Sequence, residues 1–441
     1  MSSLLPVSMS RRHALRIGAL GFGFGTLGLP NILRAESASG TKRHKALINV
    51  FLGGGPPHQD LWELRPDAPA EIRGEFNPID TKVPGIRICE VFPQLARIMD
   101  KCVAVRAVVG SVGAHDAYQC NSGFSSRDLA IVGGRPSVGS VTAKVLGPVD
   151  RAVPPFVGLA TPTSHLPWSD AGAPGFLGGA MAAFKPEGDG MADMSPCVEV
   201  QGTRLTDRRA LLTTLDSFKR EADLKGKMSA MDAFASSAFD VLTSSKLVDA
   251  LDLSKESPET RSRYGTGKPF NYQYDGGPTS NEQLLIARRL IEAGVRCVSL
   301  TYGRWDSHGQ NFQLVRDHGS KLDQCLSALI EDLDQRGMLD DVTVIAWGEF
   351  GRTPRINPQA GRDHWPQVSC AFMAGGGMRG GQAIGSTNRL GEHAETRPTH
   401  FQEIIATLYR NLGIDPNSKP IVDPAGRPQP LVENYQPMIE V

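Results

Sequence analysis

Five short apolar runs alternating with helical segments restrict this chain more than any other feature. Lys45 to Leu52 (KALINVFL), Cys102 to Val108, Pro155 to Leu159, Val295 to Tyr302 and Val342 to Trp347 have strand length and little polar alternation. Strands apolar on both faces need cover on both faces, the condition of a parallel sheet in an α/β protein. Segments with helical spacing lie between and after them: Glu90 to Lys101, Pro136 to about Leu146, Asn281 to Ala293 (stopped by Gly294), Leu314 to Arg336 and Phe401 to Leu412. The expected fold class is therefore α/β, with a mostly parallel central sheet between helices. Thr161 to Asp193, rich in Gly, Pro and Ala, reads as an excursion over the site. Arg204 to Ser245 reads as two further helices. One domain over 39–441, with a loop and helical excursion at about 161–280, follows.

Charge and cysteines narrow the function. Lys and Arg number 47 against 47 Asp and Glu, with no basic block, so nucleic acid is not an expected partner. The seven cysteines are scattered and never form C-x-x-C, which excludes a disulfide framework and a zinc knuckle. At the start, Ser10-Arg11-Arg12-His13-Ala14-Leu15-Arg16 precedes a mildly apolar, glycine-laced stretch from Ile17 to Leu29. Paired arginines before such a weak apolar region resemble a twin-arginine export signal, here residues 1–38, with processing near Ala35 or Ala38. That implies the twin-arginine translocase as an export partner and a periplasmic or extracellular destination. No stretch has the ~18 to 20 apolar residues that span a bilayer, so no transmembrane segment is expected in the mature chain.

Parallel sheets place their sites beyond the carboxyl ends of the strands, which filters the ten histidines. His58 and Asp60 follow the first run, and His115 and Asp116 the second. Asp306 and His308 follow the fourth, in YGRWDSHGQN, while Glu349 and Arg352 follow the fifth, in AWGEFGRTPR. Asp363 and His364 come next, and His400 opens the last helix. Carboxylates and imidazoles at one sheet edge are what a metal site built from distant segments requires. Asp306 and His308, two apart, point the same way in extended backbone. Thr399 reads as the N-cap of the last helix, with His400 in its first turn. His318 reads as a residue on the polar face of a helix.

The segments LGGGPPHQDLWELRPDAP, RRLIEAGVRCVSLTYGRWDSHGQNF, VIAWGEFGRTPRIN and GRDHWP resemble, in order and spacing, domain-of-unknown-function family 1501. That family of exported proteins, abundant in planctomycete-type bacteria, is placed in the alkaline phosphatase and sulfatase superfamily. The resemblance implies a three-layer α/β/α sandwich with one or two divalent ions at the carboxyl edge of its sheet. It implies Asp306 and His308 as the carboxylate and imidazole pair of the metal site, Asp363 and His364 as its Asp-His dipeptide, and His400 as the last ligand. The chain departs from the superfamily in having glycines where the first strand usually ends in Asp, leaving His58 and Asp60 as the nearest donors. Zinc is the first expectation for the metal, with manganese or iron as alternatives. Ser122 is the candidate nucleophile and a metal-bound hydroxide the alternative.

The expected function is thus an exported, metal-dependent hydrolase of phosphate or sulfate esters, acting on a small or polymeric anionic substrate. His115 would hydrogen-bond or transfer protons, and Arg352 would clamp an anionic oxygen. Glu349 and Arg352 also admit a bland reading as a structural ion pair. The alternative function is a non-catalytic binding protein for an envelope glycan or protein; an isomerase or transferase is a third reading.

Overall fold

The computed structural model describes residues 44–186, 245–265, 269–270, 276–417 and 420–441. The expected export signal and, apart from Ser245, the helices expected over Arg204 to Ser245 lie outside the described residues. Eight strands form one sheet: β1 (Ala46–Phe51), β2 (Cys102–Val109), β3 (Phe156–Gly158), β4 (Cys297–Thr301), β5 (Val342–Trp347), β6 (Ser369–Gly375), β7 (Gln382–Ile384) and β8 (Thr399–His400). The order is β7-β2-β6-β5-β1-β4-β3, with β8 also on β2. Pairings of β1 with β4 and β5, of β3 with β4, and of β7 and β8 with β2 are parallel. Only β6 runs against both of its neighbours.

Alternation along β1 shows why the sheet has two covered faces. Ile48 and Val50 join one core with Leu284, Leu285 and Leu290 of helix α2 (Asn281–Ala293) and Leu314, Leu322 and Leu329 of helix α3 (Asn311–Gln335). Leu47 and Phe51 join the other, with Val138 and Val141 of helix α1 (Val138–Leu146) and Phe401, Ile404 and Leu408 of helix α4 (Phe401–Asn411). Successive strand residues point to opposite faces, so one apolar strand supplies both layers of core. The result is the expected α/β/α sandwich around a mostly parallel sheet. Among the described residues no helix is long and apolar enough to cross a membrane, and the six described cysteines are buried and free.

Some local readings change. Glu90 to Lys101 is not one helix but a short helix, Pro93–Arg97, and a 3-10 turn, Met99–Lys101. Proline lacks an N–H, so Pro93 can begin a helix but not continue one, and Ile98 breaks it with φ −112° and ψ 15°. His318 is fully buried rather than on a polar face, its ring set edge-on to Trp305 with 5.6 Å between centroids.

Candidate metal centre

The parallel strands bring their carboxyl ends to one edge, and the loops there carry the polar residues. β1 runs into Gly53–Gly55, β2 into the loop of His115, β4 into Asp306 and His308, and β5 into Glu349. Because β6 is antiparallel, the residues before it arrive at the same edge, and His364 is among them. Gly54 lets the loops meet: it has φ +100°, and a Cβ there would lie 2.5 Å from the backbone nitrogen of Asp306. A side chain would be strained and would push the Asp306 loop away.

Asp306 is the hub. Its Oδ1 lies 3.1 Å from His364 Nε2 and 3.1 Å from His308 Nε2, and those two nitrogens are 3.0 Å apart. Its Oδ2 lies 3.6 Å from His115 Nε2. Arg352 Nη2 donates to Oδ1, and Arg304 Nη2 donates to Oδ2 at 3.2 Å. His115, Asp306 and His364 each offer one donor atom, all within 4.8 Å of one another. The expected side-by-side pointing of Asp306 and His308 along a strand is not how they meet, since neither lies in a strand. The loop folds their tips together instead.

Two carboxylates hold the outer nitrogens. Glu349 Oε1 accepts from His115 Nδ1 at 3.0 Å, from Gly54 N at 2.9 Å and from Trp168 Nε1 at 3.2 Å. Asp363 Oδ1 lies 2.7 Å from His308 Nδ1. His165 Nε2 donates to the His115 carbonyl at 2.8 Å, so the 161–186 excursion does reach the site. Trp168, His165 and Arg304 are neighbours that the linear spacing does not reveal, because each depends on contacts between distant loops. Burial by itself would lower the His115 pKa, but its hydrogen bonds to Asp306 and Glu349 outweigh this and raise it to about 9. Burial opposes ionisation of Asp306, yet His115, His364 and Arg352 together hold its carboxyl far below the ordinary range.

The other nominated residues stand elsewhere. Asp60 is fully buried in a two-point pair with Arg362, at 2.7 Å and 3.0 Å, and accepts from Asn311 Nδ2 at 2.7 Å. Its lone pairs face partners rather than an ion. His400 is itself the N-cap of α4, its Nδ1 accepting from Gln402 N at 3.1 Å, in place of Thr399. Its ring stacks on Tyr435 at 4.2 Å, and burial is the main cause of its lowered pKa. Ser122 is buried with its hydroxyl donating to the Tyr118 carbonyl at 2.8 Å, one turn back in the helix Tyr118–Ser122. Arg352 is fully buried, donating to the carbonyls of Gly54, Gly55 and Arg362 and to Asp306. Those contacts make it a strut between loops, not a clamp open to substrate, and it does not pair with Glu349.

His58 is fully buried, with Nε2 donating to the Gly391 carbonyl at 2.9 Å and Nδ1 without a hydrogen-bond partner among the described residues. Burial lowers its pKa from 6.5 to about 4. The unfolded chain then takes up this proton first as pH falls, so stability is complete above about pH 6.5 and declines toward pH 4, by up to ~3 kcal/mol. Denaturant unfolding between pH 7 and 4 should show this decline, and His58→Gln should flatten it.

The donor set suits a divalent ion. Metal bonds of ~2.0 to 2.1 Å separate neighbouring donors by roughly 3 Å, the spacing seen among Asp306 Oδ1, His308 Nε2 and His364 Nε2. Mixed imidazole and carboxylate ligation admits zinc, manganese or iron.

A family model described as "Protein of unknown function (DUF1501)" matches residues 44–441. No curated protein matches the sequence. Similar solved structures include a protein in the alkaline phosphatase superfamily from Vibrio parahaemolyticus, at 10% identity and TM-score 0.38, covering 85% of this chain and 68% of that one. The PsFucS1 sulfatase from Pseudoalteromonas sp. is 12% identical with TM-score 0.37, covering 86% and 70%. The lipoteichoic acid synthase LtaP from Listeria monocytogenes is 11% identical with TM-score 0.35, covering 91% and 80%.

Proposed function

The chain belongs to the DUF1501 family, and from that premise we propose that it is an exported, metal-dependent hydrolase of phosphate or sulfate esters. The observation that carries this reading is the convergence of His115, His308 and His364 on the single carboxylate of Asp306 at the carboxyl edge of the sheet. These residues would hold the ion, which would supply Lewis-acid polarisation of the ester oxygen. The charges favour an anionic substrate. Without an ion, Asp306, Glu349 and Asp363 are balanced by Arg304, Arg352 and a protonated His115; with His115 neutral as a ligand, a divalent ion makes the centre net positive. Attraction to an anion thus depends on the metal, in a chain whose formal net charge is zero.

Glu349 fixes the His115 ring through Nδ1 and so aims Nε2 into the site. His115 is packed between Trp168, at 4.4 Å, and Phe350, at 5.3 Å between ring centroids, which limits water on those sides. Ser122 lies out of the cluster, so water is the proposed nucleophile. The same placement of Ser122 favours the second reading, a non-catalytic binding protein for an envelope glycan or protein. A panel of 4-nitrophenyl phosphate, its diester and 4-nitrophenyl sulfate, assayed before and after chelation, separates the two. Hydrolysis of at least one ester, lost on chelation and restored by zinc or manganese, supports the hydrolase; no turnover with metal bound supports the binding protein. Export rests on Arg11 and Arg12, and the paired lysine substitution should retain the chain in the cytoplasm.

A further inference from the structure

Both His115 and His308 turn Nδ1 toward a carboxylate and Nε2 toward Asp306. Glu349 Oε1 is 3.0 Å from His115 Nδ1, and Asp363 Oδ1 is 2.7 Å from His308 Nδ1. Glu349 is 1% exposed, and its orientation is set independently by Gly54 N and Trp168 Nε1. Asp363 receives a second, longer contact from Asn357 Nδ2 at 3.3 Å. Asp306 faces Nε2 of each ring as well, but further imidazole nitrogens converge only on that side. An ion would therefore take Nε2 and leave the proton on Nδ1, where Glu349 or Asp363 can only accept it.

We propose that Glu349 and Asp363 are positioning residues, not metal ligands, and that they present His115 and His308 through Nε2 to the metal centre at Asp306. This rests on the metal-dependent reading above and changes the role of Asp363, which the Asp-His dipeptide alone suggests as a direct ligand. The direct ligands of the centre become Asp306 and three imidazoles. The two supports differ in strength: Glu349 is buried with three donors converging on it, whereas the His308 and Asp363 side chains are about half exposed.

The experiment uses the full chain, stripped by chelator and titrated with zinc against a competing chelator. Binding is read as affinity and as ions per chain. Glu349→Gln is expected to weaken zinc by roughly 100-fold and Asp363→Asn by roughly 10-fold, each still reaching the wild-type number of ions at saturation. Nitrogen-15 shifts of histidine-labelled, zinc-loaded wild type provide a readout that needs no variant to fold. They should show Nε2 metal-bound and Nδ1 protonated for His115 and His308. A lower ion count in Asp363→Asn, unchanged affinity in both variants, or Nδ1 ligation would each overturn the proposal. Ester turnover is not part of this test. A chain that binds zinc as described but hydrolyses nothing would refute the hydrolase while leaving these roles intact; a zinc-dependent hydrolase with unaltered affinity in both variants would do the reverse.

Discussion

Asp306→Asn is expected to abolish metal binding and to lower stability by about 3 to 5 kcal/mol. The substitution keeps size and removes charge. Arg352 and Arg304 both donate to this carboxylate, with Arg352 fully buried, and three imidazole nitrogens lie within 3.6 Å of it. Without it the guanidiniums lose the anion at their centre, which costs far more than loss of an exposed pair. An amide nitrogen also points a donor at donors. Using typical unfolding entropies, the loss corresponds to a fall of about 4 to 6 °C in melting temperature. Equilibrium dialysis should find less than ~0.1 zinc per chain at concentrations that saturate wild type, a larger loss than the ~10- to 100-fold in affinity that removing an outer-shell partner costs. Retention of a full equivalent would show that another carboxylate binds the ion.

Arg362→Met is expected to destabilise comparably while sparing the metal ligands themselves. Arg362 is fully buried and donates through Nε and Nη2, one edge of its guanidinium, to Asp60, and through Nη2 and Nη1 to the carbonyls of Ile72, Thr353 and Pro354. Removing it strands a buried carboxylate, for about 3 to 5 kcal/mol. Asp363 and His364 follow directly in sequence, so the loosened loop should also weaken zinc affinity, with full occupancy recovered at higher zinc. The double variant Asp60→Leu/Arg362→Met removes both charges and should recover most of the stability, measured by denaturant unfolding. If the double variant is as unstable as the single one, the charge of Asp60 is not what the arginine neutralises. If Asp60→Asn alone eliminates zinc at saturation, Asp60 belongs to the metal centre after all.

Legibility in the sequence tracked the range of the interaction involved. The helix Asn281–Ala293 and the strand Val342–Trp347 can be bounded to the residue because amphipathic spacing and a stop glycine, or an unbroken apolar run, are local signals. Strand β6 is not: Ser369–Gly375 (SCAFMAG) has small residues and no β-branched ones, and it is a strand because β2 and β5 hold it on both sides. At the site, Asp306, His308 and His364 were legible from motif order and their position after strands. Asp60 and His400 satisfy the same positional rule, yet partners distant in the chain claim them: Arg362 lies 302 residues from Asp60, and Tyr435 stacks on His400. Arg352 likewise has the right chemistry for an anion clamp, but its burial among carbonyls exists only once three loops meet. Residue type and strand ends locate a centre; which groups face an ion is decided by pairings that leave no period in the sequence.

The most direct test is zinc titration of the metal-stripped chain with ester hydrolysis as the signal. Because the imidazoles converge on one carboxylate, turnover should rise linearly, break at one zinc per chain, and be absent at every zinc concentration in His364→Ala. Turnover that is the same in stripped and loaded protein, or a break at two equivalents, would contradict a single metal centre built on Asp306.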